Sequence, residues 1–448
     1  MDSKKGRLLV AASSRGDIEK VKSLYSDAIA NWRDDKVGYT PLYGACQRGH
    51  VEVARFLLSH QGIDPMLADD EGFTPFFVAC QEGYCEVVSL LLADPRVDPN
   101  STMDDGGNPF FIACQNDRHE VVSLLLADPR VAPDKPDDAT PFFMACQGGN
   151  VVLASLLLAD PRIDPSKTDE EETSPFFMAS QNGHHEVVSL LLADPRIDPN
   201  KGTKEGATPL SIACEDGHKE VVSLLLADPR VDPNLPDDEK STPFYVACQN
   251  GHADLVLLML ADPRIDPNKP MNDQSTPLWQ ASQNGRLVIV QHLLASGREI
   301  DTKRRSTFNN KTAAEQGREM GIAEMDEDDT QEDYEQSKTG GPLCADLTDE
   351  YEQDPGAVRR RLRKLPALRG HFIGHLFALV VFHSDSFVVI NESTAHPDTR
   401  RFFKITSWLP LDLLMVLCNR VFGSPRDIIL SRDSEPGFQL LSRSTTWQ

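Results

Sequence analysis

The chain has 448 residues, 40% hydrophobic and 25% charged, which suits a folded, water-soluble protein and excludes a fibrous or low-complexity one. Its formal charge of -24 is unevenly placed: residues 324–338 hold net -7, residues 339–448 net +1, and residues 1–323 the remaining -18. So acidic a body repels phosphate backbones, which excludes nucleic acid as the main ligand and leaves a basic protein surface as the complementary partner.

The N-terminal run Leu8-Leu9-Val10-Ala11-Ala12 is too short for the core of a signal peptide. The longest apolar stretch, Phe372 to Phe382, is about half a membrane span and contains His375. A protein of the cytoplasm or the nucleus, without membrane contact, is expected. Residues 7–30 read as a helical pair around Gly16-Asp17.

From Thr40 onward a Thr/Ser/Asn-Pro step recurs, with its proline at Pro41, Pro75, Pro109, Pro141, Pro175, Pro209, Pro243 and Pro277. Successive prolines lie 34, 34, 32, 34, 34, 34 and 34 residues apart. A constant period in this range marks a solenoid of stacked modules. In the copy from Thr74 to Asn100, Thr74 is a helix N-cap and Pro75 the first helical residue. Gly83 closes that short helix. A second helix follows, with Val87, Leu90 and Leu91 at i, i+3 and i+4 on one stripe, and Asp94-Pro95 ends it. Neither helix is long enough to be stable alone, so each buries its stripe only by stacking.

Nine cysteines are present, an odd number. Cys46, Cys80, Cys114, Cys146, Cys214 and Cys248 share one repeat position, which Ser180 and Ser282 occupy in two other copies. Equivalent positions in adjacent modules lie roughly 8–10 Å apart, beyond the reach of a disulfide. The position therefore reads as a small core side chain in a reducing compartment.

The text T-P-[L/F]-x-x-A-x-x-x-G-[H]-x-x-x-V-x-x-L-L, over roughly residues 5–322, resembles the ankyrin-repeat family. The resemblance implies an all-α solenoid of antiparallel helix pairs, with a hairpin-like loop finger between modules. It also implies a protein-binding scaffold without catalysis or cofactor. Two departures stand out. Where the family has His two residues after Pro, this chain has Tyr43, Phe77, Phe111, Phe143, Phe177, Ser211, Tyr245 and Trp279, so an aromatic row is expected to replace histidine hydrogen bonds. Where the family has Gly-Ala, six copies carry Asp-Pro-Arg, at Arg96, Arg130, Arg162, Arg196, Arg230 and Arg264. These read as local Asp–Arg turns on the convex side, with a binding ladder as the other reading.

Partners of the family touch the finger tips and the adjoining face of the first helix. Carried onto this sequence, the tips supply Asp70, Glu71, Asp104, Asp105, Asp137, Asp138, Glu170, Glu171, Asp238 and Glu239. The helix face supplies Gln81, Gln115, Gln147, Gln181 and Gln249, with Glu215 at the same place in one copy. Glutamine both donates and accepts, so the row can bind an extended backbone. A protein partner with a basic face is the expected ligand.

The expected division is an N-terminal capping module (1–39), eight modules (40–307), a C-terminal capping module (308–322), an acidic linker (323–340) and a small helical domain (341–448). In the last, Ala345–Gln353 and Pro355–Lys364 read as helices. The second carries Arg359, Arg360, Arg361, Arg363 and Lys364. This cluster reads equally as an external contact for phosphate or an acidic surface, and as an intramolecular contact with the acidic linker or the repeat tips. The segment Phe372–Val381 reads as a core helix, on which His371 and His375 have metal-pair spacing but no accompanying glutamate. Leu409–Val421 resembles the first helix of an F-box, which implies as an alternative function a substrate-recruiting adaptor of a ubiquitin ligase. No phosphate loop, catalytic triad or metal cluster is legible, so no enzyme, cofactor or metal is expected.

Overall fold

The computed structural model describes residues 2–103, 106–135, 140–322, 331–365 and 368. The fold is all-α, and no strand occurs among the described residues. It divides into two compact units, Met1–Lys204 and Glu205–Gln448.

The first unit opens with α1 (Asp2–Ser13) and α2 (Ile18–Leu24). Five helix pairs follow: α3 (Pro41–Gln47) with α4 (Val51–Leu58), α5 (Pro75–Glu82) with α6 (Cys85–Leu92), α7 (Pro109–Gln115) with α8 (His119–Ala127), α9 (Pro141–Gln147) with α10 (Val151–Leu158), and α11 (Pro175–Gln181) with α12 (His185–Leu192). First helices stack on first helices and second on second, from α3 to α11 and from α4 to α12.

The second unit repeats the plan with α13 (Pro209–Glu215) and α14 (Lys219–Ala227), α15 (Pro243–Asn250) and α16 (Ala253–Leu260), and α17 (Pro277–Gln283) and α18 (Leu287–Ala295). The helix α19 (Ala313–Met320) packs on α17. Two further helices, α20 (Gln331–Gln353) and α21 (Pro355–Leu362), complete the described part. The segment expected as linker is thus helical from Gln331, and α20 runs through the expected boundary at 340/341.

Every Pro-initiated helix is capped as its sequence demands. The Thr74 hydroxyl accepts from the Phe77 N–H at 3.1 Å, and the Asn108 carbonyl oxygen from the Phe111 N–H at 2.7 Å. Thr40, Thr140, Ser174, Thr208, Thr242 and Thr276 cap in the same way. Each such cap contributes about 1 kcal/mol. Gly83, at φ 88°, closes α5 in a left-handed turn that a side chain resists.

The cores are built of equivalent layers. Phe76, Phe110, Phe142 and Phe176 are all but fully buried in the first unit, as are Val87, Leu91, Val121 and Leu125 behind them. Burial of each such side chain stabilises by about 1.5–3 kcal/mol.

The Asp-Pro-Arg turns close locally as expected and also reach beyond their own module. Arg96 does bind its own Asp94, at 2.6 Å, but its guanidinium also donates to the carbonyls of Leu58 (3.0 Å) and Ile63 (2.8 Å) in the module before. Arg162 reaches Leu126 (2.7 Å) and Val131 (3.0 Å), and Arg196 reaches Leu158 at 2.9 Å. In the second unit Arg264 reaches Leu226 (2.7 Å) and Val231 (3.1 Å). The Leu58, Leu126, Leu158 and Leu226 carbonyls lie in the last turn of a helix and those of Ile63, Val131 and Val231 in the loop after it, so the arginine ties a helix end and its outer turn to the next module and complements the helix dipole. Asparagines add a second inter-module link. The Asn100 amide donates to Arg130 O and accepts from Ala132 N, both at 2.7 Å, and Asn234 does the same with Arg264 and Asp266.

Candidate functional site

Each described finger is a tight turn closed by its first residue. In the first unit Asp69 N donates to Phe73 O at 3.0 Å, and the Asp69 carboxylate accepts from Glu71 N (3.0 Å) and Phe73 N (2.9 Å). Asp169 makes the same bonds to Glu171 and Thr173, and Asp237 to Glu239 and Ser241 in the second unit. A short carboxylate is suited to this, because it reaches backbone N–H groups two and four residues on. Asp69, Asp169 and Asp237 are therefore structural. Asp69 is only 8% exposed.

Neighbouring tips are bound through the backbone. Asp70 N donates to Val37 O at 3.2 Å and Lys204 N to Glu171 O at 3.1 Å within the first unit. Within the second, Asp238 N donates to Glu205 O and Asn272 N to Glu239 O, each at 3.1 Å. These described neighbours are thus joined backbone to backbone and do not stand as independent loops.

The acids of this finger edge differ in their ion-pair partners. Arg33 binds Asp70 at 2.8 Å, Lys201 binds Glu172 at 2.7 Å, and Lys204 lies 3.7 Å from Glu171. Lys201 holds the Glu172 carboxyl below the usual range. Glu71, Glu170, Asp238 and Glu239 are exposed and make no ion pair among the described residues. Asp104, Asp105, Asp137 and Asp138 lie outside the described residues.

Behind the edge stands the glutamine row. Gln115 and Gln249 are exposed, and Gln81, Gln147 and Gln181 half-buried. The side-chain amides of Gln81, Gln115, Gln147 and Gln249 make no hydrogen bond among the described residues, so both their donors and acceptors are open. The backbone carbonyls of the row are occupied instead: Arg118 donates to Gln81 O at 2.9 Å, and His184 bonds Gln147 O at 2.9 Å.

The aromatic row is buried and joins modules. Tyr43, Phe77, Phe143, Phe177, Tyr245 and Trp279 are each at most 8% exposed, while Phe111 is half-buried. The Tyr245 hydroxyl bonds Ser275 (3.1 Å) and Gln280 (2.9 Å), and Trp279 Nε1 donates to Lys311 O at 3.2 Å. Burial first, and then the Asp69 carboxylate, push the Tyr43 phenol up. Ser211, the exception, donates to Thr208 O and accepts from Thr208 N, closing a capping box.

Little here is poised for proton or group transfer. Burial pushes the thiols of Cys46, Cys80, Cys114, Cys146, Cys214 and Cys248 up, which holds them as unreactive core groups. Among the described residues no group of three or more His, Cys, Asp or Glu could hold a metal ion, and no helix is long and apolar enough to cross a membrane.

A profile of ankyrin repeats matches residues 8–103, 90–169, 143–237 and 229–304. The chain belongs to the ankyrin-repeat family. Ankyrin repeats are protein-binding modules. Among curated proteins none matches the chain.

Two sets of contacts escaped the sequence reading. Arg33, Lys201 and Lys204, which neutralise part of the acidic edge, were not legible as finger partners. The only signal for Lys201 is that it directly follows a loop asparagine, Asn200. The partners of the basic cluster are the second set: Arg361 binds Glu350 through two bonds, Arg359 donates to Tyr351 and to Arg298 O, and Arg363 donates to Ala295 O. His371, His375, Phe372–Val381 and Leu409–Val421 lie outside the described residues.

Proposed function

We propose that the protein is a non-catalytic scaffold that binds a basic segment of a protein partner along its finger tips and the adjoining glutamine face. The observation that carries this reading is the set of exposed carboxylates without an ion pair, Glu71 and Glu170 in one unit and Asp238 and Glu239 in the other. A row of fixed negative charge raises the local concentration of a cationic ligand and speeds its encounter. The open amides of Gln81, Gln115 and Gln147 then supply hydrogen bonds to an extended backbone.

The test uses an oligolysine peptide as the probe and the full chain as the receptor. Affinity is expected to fall steeply with salt, as the Debye length shortens from about 10 Å at 0.1 M toward 3 Å at 1 M. The double substitution Glu71→Gln and Glu170→Gln is expected to weaken binding about tenfold. Affinity unchanged by these substitutions would remove the acidic edge from the reading. The adaptor reading rests on Leu409–Val421 alone. Its support would be recovery of a ubiquitin-ligase subunit with the full chain and loss of that subunit on substitution of Leu409 and Pro410.

A further inference from the structure

Each outer turn of the second unit is held by an arginine that comes later in the chain. Arg264 donates to the Leu226 and Val231 carbonyls at 2.7 and 3.1 Å, and Arg298 donates to the Asp262 and Ile265 carbonyls at 3.2 and 2.5 Å. The turn after α18 has no such arginine in the segment that follows it. There Arg304 binds Asp301, Arg305 binds Glu315 and Arg318 binds Asp349.

The missing donors come from α21. Arg363 Nε donates to Ala295 O, and Arg359 Nη2 to Arg298 O, both at 2.9 Å. The two arginines are one helical turn apart, on the side of α21 that packs on α18, beside the buried Val358 and Leu362. Besides the Tyr351 hydroxyl, which Arg359 also reaches, these acceptors are neutral carbonyls at the end of α18 and in the turn after it. Arg361 of the cluster binds a carboxylate, Glu350.

The seating of α20 points the same way. A Cβ at Gly340 would collide with the Gly285 carbonyl, and one at Gly341 would come within 2.5 Å of the Gly317 carbonyl. Two helix glycines are therefore placed where α20 meets the α17–α18 turn and α19 backbone to backbone. Below them Cys344, Ala345, Thr348 and Tyr351 are buried. An array of modules exposes an apolar end face unless a dedicated element covers it.

We infer that residues 331–365 are the terminal cap of the array: α20 covers its last face, and Arg359 of α21 with Arg363 at its C-cap stand in for the arginine of an absent next module. The basic cluster is then a clamp on helix-end carbonyls, and α20 and α21 belong to the repeat array they close.

Hydrogen exchange on the full chain tests this. In the double variant Arg359→Ala with Arg363→Ala, exchange within residues 287–300 and 331–353 is expected to accelerate on the order of tenfold or more, with residues 41–92 unchanged. Arg361→Ala, which removes a cation from the same helix without touching a carbonyl, is expected to leave residues 287–300 as in the wild type. Wild-type exchange of residues 287–300 in the double variant overturns the inference, and so does equal acceleration in Arg361→Ala. Should the double variant not fold, Gly340→Ala, which bars the close approach of α20, must accelerate exchange in the same two segments. Wild-type exchange there overturns the inference as well.

Discussion

The guanidinium of Arg162 divides its donors between Asp160 of its own turn and the carbonyls of Leu126, Asp128 and Val131 in the module before. An ammonium cannot serve so many acceptors at fixed angles, so lysine is a poor replacement. Arg162→Ala is expected to destabilise by about 1–3 kcal/mol in denaturant melts, because it leaves helix-end carbonyls without a donor. Arg55→Ala, which loses only an exposed pair with Glu52 at 3.8 Å, is the control and should change stability by less than about 0.5 kcal/mol. The same pairing has a pH signature. The Arg162 hydrogen bond holds the Asp160 carboxyl below the usual range, against the opposing pull of burial, and the matching arginines do so for Asp94, Asp128, Asp194 and Asp228. A carboxyl depressed in the folded state binds its proton first in the unfolded chain. Its stabilisation is therefore whole above the unfolded pKa of about 3.9 and drains away as pH falls below it. His292 acts at higher pH. It is 3% exposed, bonds Ala253 O, and is pushed down by burial. Stability should thus decline as pH drops from about 6.5, where the unfolded imidazole starts to protonate, and His292→Gln should flatten the thermal midpoint across that window.

Single helices divide into those whose ends are written locally and one whose extent is not. The cap of α5 is local: Thr74, Pro75 and Gly83 lie within ten residues and set both its ends. Thr74→Ala is expected to cost about 1 kcal/mol and Thr74→Ser much less, as read from thermal melts, since serine keeps the accepting hydroxyl oxygen. All eight such starts were legible for this reason. The extent of α20 was not. Gly340, Gly341 and Pro342 interrupt it, and each is unfavourable within a helix by propensity, glycine by about 1 kcal/mol. A sequence reading starts the helix after them, at Ala345. Packing against α17, α18 and α19 outweighs that local preference, because only glycine admits the close approach of the backbones. The finger tips were half legible. Their acidic character is plain in the text, but whether an acid is turn-forming like Asp69, paired like Asp70 or unpaired like Glu71 depends on contacts that the text does not order.

At the scale of the molecule, stability is shared between neighbours along each unit. Phe76 is fully buried in the layer where α3, α5 and α7 meet. Phe76→Ala should cost about 3–5 kcal/mol, and hydrogen exchange should show the loss greatest in residues 41–92 and fading module by module. A loss spread evenly over residues 2–204 would contradict nearest-neighbour coupling. The sequence by itself determined the all-α repeat class, the register of the modules, the caps and the buried stripes, because each rests on residues within about one module of text. Only the tertiary structure decided the destinations of the Asp-Pro-Arg arginines, the unpaired acids of the finger edge, and the seating of α20 and α21 on the last repeat. Those contacts join residues about thirty to seventy positions apart, and stacking, not local propensity, brings them within hydrogen-bonding distance.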